Sequence, residues 1–265
     1  MTADDRPLRI APLWAADPGM RAIMAALTAE GAEARFVGGC VRNALLGPEA
    51  PAETDIDVAI NRPPPETIRL LEQAGLKAIP TGVEHGTVTA ATPDVDKSEE
   101  SPGERRVAAV EVTSLRRDVE TDGRRAVVAF TEDWAEDAGR RDFTMNALYA
   151  DADGVVHDPL GQGRSDLAAR RVRFIGAAEQ RIREDYLRSL RYFRFYAWYG
   201  AAGGLDPEDL SAVTRLASGI DGLARERIGA EMLKLLAAPD PAPVIAAMAA
   251  PGILARCLPG ATSEN

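Results

Sequence analysis

The sequence predicts an α+β chain, with a mixed sheet and helices up to about residue 150 and helices alone after it. Three observations carry this. Before residue 150, short apolar runs with strand-like alternation are interleaved with runs of helical spacing. Asp151-Ala152-Asp153-Gly154 then forms a turn signal. Beyond it the apolar residues recur almost entirely at helical spacing. The expected domains are therefore 1–150 and 151–265.

Taken in order, Ile23, Met24 and Leu27 place a first helix over Gly19 to Ala29. Ala34 to Val37 is a short apolar strand running into Gly38-Gly39. A helix from Cys40 to Leu46 follows, stopped by Gly47-Pro48. Thr54 to Ile60 alternates: Ile56, Val58 and Ile60 point one way, Asp55 and Asp57 the other, as in a half-buried strand with carboxylates on its polar face. Pro63-Pro64-Pro65 precedes a helix from Glu66 to Ala74. Strands are expected over Gly86 to Ala91, Val107 to Ser114 and Val127 to Phe130, with a long exposed loop from Thr92 to Arg106. The later helices are Glu179 to Tyr199, Asp206 to Ala217, Arg225 to Leu236 and Ala242 to Met248.

With 265 residues, 46% of them hydrophobic, the chain can bury one large core or two modest ones. Its Cys40, Cys257, His85 and His157 exclude a zinc site of the usual ligand types and a disulfide framework. Any catalytic metal would be a hard cation on oxygen ligands. No apolar run approaches the ~20 residues that cross a bilayer, and the N-terminus lacks the apolar core of a signal peptide, so a cytosolic protein without membrane contact is expected. The net charge of -10 hides a segregated pattern: nine arginines between Arg164 and Arg194 face only four acids. Such a segment is either a solvated helix face or a focused phosphate-binding cleft.

Asp55-Ile56-Asp57 is the sharpest chemical feature. Residues i and i+2 of a strand share a face, with Cα atoms roughly 6–7 Å apart. Two carboxylates so placed repel unless a cation lies between them, which points to Mg²⁺ and to metal-assisted phosphoryl transfer. Alone, Asp-x-Asp is more often a solvated strand face or a turn. Val37-Gly38-Gly39 adds context, since glycines at a strand-to-helix turn let backbone N–H groups approach an anion at a helix N-terminus. Arg42, on the first turn, would reach the same phosphates.

Four segments in order are similar to the bacterial-type (class II) CCA-adding tRNA nucleotidyltransferases and their poly(A) polymerase relatives. They are Phe36-Val-Gly-Gly-Cys-Val-Arg-Asn43, Thr54-Asp-Ile-Asp57, Arg140-Arg-Asp-Phe-Thr-Met-Asn-Ala147 and Glu184-Asp-Tyr-Leu-Arg188. The resemblance implies a polymerase-β-like nucleotidyltransferase head followed by an all-helical neck and the start of a body. It implies that Asp55 and Asp57 bind magnesium, that Gly38, Gly39 and Arg42 contact the incoming nucleotide, and that Arg141 and Asp142 read its ribose. Arg141 and Asp142 also fit a structural ion pair joining the two lobes. Glu111 resembles the third acidic position of the active-site sheet, as a metal ligand or a base; exposure on a strand face explains its polarity as well. Asp185 and Arg188 match the protein template for the Watson–Crick edge of ATP or CTP, with Arg191 and Arg194 toward the phosphates. Leu223 to Ile228, with Glu231, resembles the last neck motif, which is structural.

The implied reaction adds CMP, CMP and AMP from CTP and ATP to a tRNA 3′ end. The alternatives are a poly(A) polymerase, a CC- or A-adding enzyme, or a non-catalytic nucleotide- or RNA-binding module. The poly(A) branch carries an arginine-rich strand after the aspartates, where this chain has Thr81-Gly-Val-Glu-His-Gly86. Asn43 stands where many relatives have Asp, which is expected to leave Arg42 free. The turn Asp158 to Asp166 is one residue longer than usual in the family. Family members typically continue into helical domains that grip the tRNA, whereas this sequence ends at Asn265.

Overall fold

The computed structural model describes residues 7–51, 55–92, 109–121, 126–201 and 204–258. Thr54 and most of the Thr92 to Arg106 loop therefore lie outside the described residues. The chain divides into two compact units, and the division is discontinuous. Unit one comprises Met1–Val119, Val128–Arg140 and Asn146–Gly161; unit two comprises Glu120–Val127, Arg141–Met145 and Gln162–Asn265. The exchange falls later than residue 150, and five residues of the Arg-Arg-Asp motif region cross over early.

Unit one opens with α1 (Pro18–Leu27). Asp17 caps it by accepting from the Met20 N–H at 3.0 Å, and Pro18 occupies the first turn, where its missing N–H costs nothing. β1 (Ala34–Val37) leads into α2 (Gly39–Leu46), β2 (Asp57–Ile60) and α3 (Pro64–Gln73). β3 (Lys77–Gly82), β4 (Thr87–Ala91) and β5 (Ala109–Ser114) follow. β6 (Arg116–Thr121) and β7 (Ala126–Phe130) form a separate two-stranded sheet that is divided between the units, Glu120–Val127 belonging to unit two. α4 (Trp134–Gly139), β8 (Tyr149–Ala150) and β9 (Val156–His157) complete the unit. The large sheet has the order β3-β4-β5-β2-β1-β8-β9, and β2 and β5 are its parallel pair.

The two faces of this sheet differ. Phe36, Val58, Ile60, Val88, Ala90 and Val112 are all buried on one face, where α3 packs on β4 and β5 and against α1. Burying one such aliphatic side chain stabilises the fold by about 1.5–3 kcal/mol, so this face sets the register of β1, β2, β4 and β5. The opposite face carries Asp57, Glu111, Thr113, Thr87 and Thr89, exposed or half-buried. β3 was not expected. Pro80 interrupts its pattern and most of its residues are exposed, as befits an edge strand that donates to one side only.

Unit two is helical: α5 (Gly163–Ala168), α6 (Ala178–Glu184), α7 (Leu187–Tyr199), α8 (Pro207–Arg215), α9 (Arg225–Leu236), α10 (Ala242–Ala249) and α11 (Ile253–Cys257). Its centre is an aromatic cluster in which Phe143 lies 4.9 Å from both Phe174 and Phe195, and Phe174 stacks 5.4 Å from Tyr192. Phe143 is held there by backbone pairing: the Thr144 N–H donates to Arg173 O and the Ile175 N–H to Asp142 O.

The single helix expected over Glu179 to Tyr199 is two helices. Asp185, between them, is extended (φ -155°, ψ 109°), and its Oδ1 accepts from the Leu187 N–H at 3.1 Å. A short carboxylate that satisfies the next helix's orphan amide competes with helix continuation, which a hydrophobic period does not register.

Candidate active site

Register places Asp57 between buried Val37 of β1 and exposed Glu111 of β5, in one row of the same sheet face. Asp57 is the first residue of β2. Asp55 is exposed and precedes the strand instead of lying on it as expected. The reason is local: β1 ends at Val37, opposite Asp57, so residues 55 and 56 have no partner on that side. Cys40, on α2, locks the corner. Its buried thiol donates to Val37 O at 3.3 Å and lies 3.9 Å from Asp57 O, and burial pushes its pKa up to about 11. It is a packing residue, not a nucleophile.

Gly38 makes the strand-to-helix turn at φ 73°, ψ -123°, a conformation open to glycine, but its N–H donates to Leu148 O at 3.1 Å. The expectation that this amide faces an anion is therefore corrected. The first helical bond runs from Arg42 N–H to Gly38 O, so the amides of Gly39, Cys40 and Val41 are the ones with no acceptor within the helix. Arg42 departs further. It is only 6% exposed, and it donates from Nε to Asn43 Oδ1 (2.9 Å) and from Nη1 to Asn146 Oδ1 (2.6 Å). Asn43 does not leave Arg42 free; it holds it. Asn146, which brings in the Arg-Arg-Asp segment, gave no separate signal in the sequence.

Glu111 sits beside Asp57 across the parallel pair and opposite Thr89 of β4. Among the described residues no group of three or more His, Cys, Asp or Glu side chains gathers to hold a metal ion. The reading of Glu111 as a third metal ligand is thus not assembled here. What fits a hard cation is an oxygen-only pair, Asp55 and Asp57, of the kind that binds Mg²⁺ together with substrate phosphates.

The remaining expected residues lie in unit two, and most are already engaged. Arg141 is half-buried. Asp142 is buried, accepting from the Phe143 N–H and from Arg191 Nε at 2.6 Å. An ion pair of this motif is present within unit two, between Asp142 and Arg191. Burial works to lower the Arg191 pKa, and Asp142 and Glu231 outweigh it, so the net direction is up. Arg194 donates to Glu231 at 2.5 Å and lies 4.6 Å over the Phe195 ring. Asp185 Oδ2 accepts from Arg227 at 2.7 Å, and Arg188 pairs with Glu184, which also holds Arg181.

Arg171, Arg173, Arg181, Arg183, Arg188, Arg191 and Arg194 each make an ion pair within unit two. Much of the basic segment is thus paired within its own fold, where the sequence left a solvated helix face and a phosphate-binding cleft both open. Asp166, buried at 2% exposure, was missed. It accepts from the Thr144 hydroxyl and pairs with Arg171 and Arg173, and an isolated Asp in a turn carries no pattern that reveals this.

A mixed sheet with one packed face, and carboxylates in register on the other beside a Gly-Gly helix start, defines the polymerase-β-like nucleotidyltransferase head. The chain belongs to the poly A polymerase head domain family, whose profile matches residues 34–173. A second profile, the probable RNA and SrmB- binding site of polymerase A, matches residues 204–264. The chain is 44% identical over 208 residues to the mitochondrial CCA tRNA nucleotidyltransferase 1 of Danio rerio, covering 77% of this chain and 44% of that protein. The CCA-adding enzyme of Oceanobacillus iheyensis is 40% identical over 215 residues, 80% of this chain and 48% of its own length. The crystal structure of the Bacillus stearothermophilus CCA-adding enzyme in complex with CTP superposes with a TM-score of 0.72 at 34% identity, over 91% of this chain and 53% of that one. The chain spans about half the length of the curated relatives it matches.

Proposed function

We propose that this chain transfers CMP and AMP from CTP and ATP to the 3′ hydroxyl of tRNA, with Mg²⁺, releasing pyrophosphate. The observation that supports it most is the open-face pair of Asp57 and Glu111 in register, with Asp55 just before the strand and the α2 N-terminus at the strand's end. In the reaction the 3′ oxygen bonds to the α-phosphorus in line, and the bond to the bridging oxygen breaks. Asp55 and Asp57 would hold Mg²⁺, which when bound supplies Lewis-acid stabilisation of the developing charge. The α2 amides beyond Gly38 offer partial positive charge to the phosphates. Glu111 accepts the proton of the attacking hydroxyl. Asp185 accepts from the exocyclic amine that C and A share, and Arg188 donates to ring nitrogen or carbonyl. Arg227 and Glu184 keep both side chains oriented until the base arrives.

The test is incubation with tRNA lacking its terminal CCA, Mg²⁺ and labelled nucleotides singly and together. Addition of C, then A, is expected. Long A tails would make the chain a polyadenylating enzyme, and incorporation unaffected by Asp55→Ala would remove the carboxylates from the mechanism. Glu111→Gln is expected to lower kcat about 10²-fold with nucleotide KM little changed, the size typical of a lost general base.

A further inference from the structure

The open face of the unit-one sheet continues well past the carboxylates, and in one direction only. In the row through Asp57, the neighbour on β1 is Val37 and the next, on β8, is Tyr149; both are buried. In the other direction the row runs Glu111, Thr89, Ile79, and these side chains are exposed or half-buried. Strands lie about 4.8 Å apart, so this open run extends about 14 Å from Asp57 to the edge strand, room for more than one nucleotide.

The chemistry of the run is specific. Thr81 and Thr89 share a hydrogen bond between their hydroxyls at 3.0 Å, and Thr87 and Thr113, in the adjoining row, share another at 3.2 Å. In each pair one hydroxyl donates to the other, which leaves one donor and spare acceptor capacity for a ligand. Ile79, 47% exposed at the outer end, offers an apolar contact. Uncharged donors and acceptors beside an apolar residue, with Glu111 at the inner end, do not suit a triphosphate. They suit ribose hydroxyls and the faces of bases.

We infer that the β5–β4–β3 face is the track on which the 3′-terminal nucleotides of the acceptor RNA lie, with the threonine pairs binding its ribose hydroxyls. This rests on the nucleotidyltransferase reading above. The attacking hydroxyl must reach Asp57, and the rest of the strand must leave along a surface continuous with it; the β1–β8 side of that row is closed. Binding through hydroxyls instead of cations lets the strand advance after each addition, because no strong ion pair has to break at each step.

The test is steady-state kinetics on Thr89→Val and Thr113→Val, which keep the β-branched shape and remove one hydroxyl each. Acceptor KM is expected to rise about fivefold per substitution, the fold-change of one lost hydrogen bond, with nucleotide KM within twofold of the parent. Replacing the acceptor's penultimate ribose with 2′-deoxyribose is expected to raise acceptor KM in the parent and to have little further effect in the Val variants. Acceptor RNA with 4-thiouridine at that position is expected to photocrosslink to residues 77–91 or 109–114. Unchanged acceptor KM, or crosslinks confined to unit two, in a protein that still extends RNA overturns the track and leaves the nucleotidyltransferase reading standing. Failure of the parent to extend any RNA overturns both.

Discussion

Asp209 lies in α8 at 9% exposure, and its Oδ2 has no hydrogen-bond partner among the described residues. Burial, with repulsion from Asp206 behind it, pushes its pKa up to about 6, against the backbone hydrogen bond from Phe174 that works to lower it. A carboxyl whose pKa is higher folded than unfolded binds its proton more tightly in the fold. Its contribution to stability is fully present below the unfolded value near 3.8, and is lost as pH rises through about 6. At neutral pH Asp209 is thus a standing cost. Asp209→Asn keeps an acceptor for the Phe174 amide and removes the charge. It is expected to raise the Tm at pH 7.5 by several degrees and to give almost no gain at pH 4. Thermal melts of both proteins at the two pH values check this, and an equal gain at both would remove titration as the cause.

At the scale of elements, the break between α6 and α7 matters most, because it carries Asp185. Tyr186 fills the break, and its ring presses on Gly219: a Cβ there would meet Tyr186 Cδ1 and Cε1 at 2.0 Å. The glycine is required for space, since its backbone is not left-handed. Gly219→Ala is expected to push Tyr186 out, at about 1–3 kcal/mol of overpacking, and to move Asp185 with it. CTP and ATP KM should rise several-fold, together with a lower Tm; a lower Tm with unchanged nucleotide KM would show that Asp185 does not follow Tyr186. The break was illegible in the sequence because the apolar residues Ile182, Leu187, Leu190 and Phe193 read as one helix, and one side-chain-to-amide bond decides otherwise. The apolar end of β2 was legible because Val58, Ala59 and Ile60 are all buried, while its start was placed too early, at Thr54. β3 was not legible, since an edge strand with Pro80 has little burial to report. The same limit applies at the site. Asp57 and Glu111 stand out as polar residues on apolar strands, whereas Asn146, one partner of Arg42, lies 104 residues away in sequence, and no local pattern encodes that pairing.

For the whole molecule, the question is how two units share one chain that crosses between them more than once. Phe143 belongs by sequence to the region before residue 150, yet all three of its ring neighbours, Phe174, Tyr192 and Phe195, are in unit two. Asp142, beside it, supplies the counter-charge for Arg191, and Thr144 supplies a hydroxyl to buried Asp166. The segment Arg141–Met145 is therefore a core element of the helical unit, and a cut at residue 150 or 161 would strip that unit of it. Phe143→Ala should cost about 3–5 kcal/mol, since the ring is fully buried and its aromatic neighbours cannot all close the space. Where that cost appears is the informative part. If each unit is stabilised by its own core, hydrogen exchange should speed up in α6, α7 and α8, while β1, β2 and β5 keep their protection, because the rings packed on Phe143, those of Phe174, Tyr192 and Phe195, all belong to unit two. Hydrogen-exchange mass spectrometry on the full chain separates the outcomes. Equal loss of protection in both sets of peptides would mean that the units unfold as one, and that the discontinuous division has no energetic counterpart.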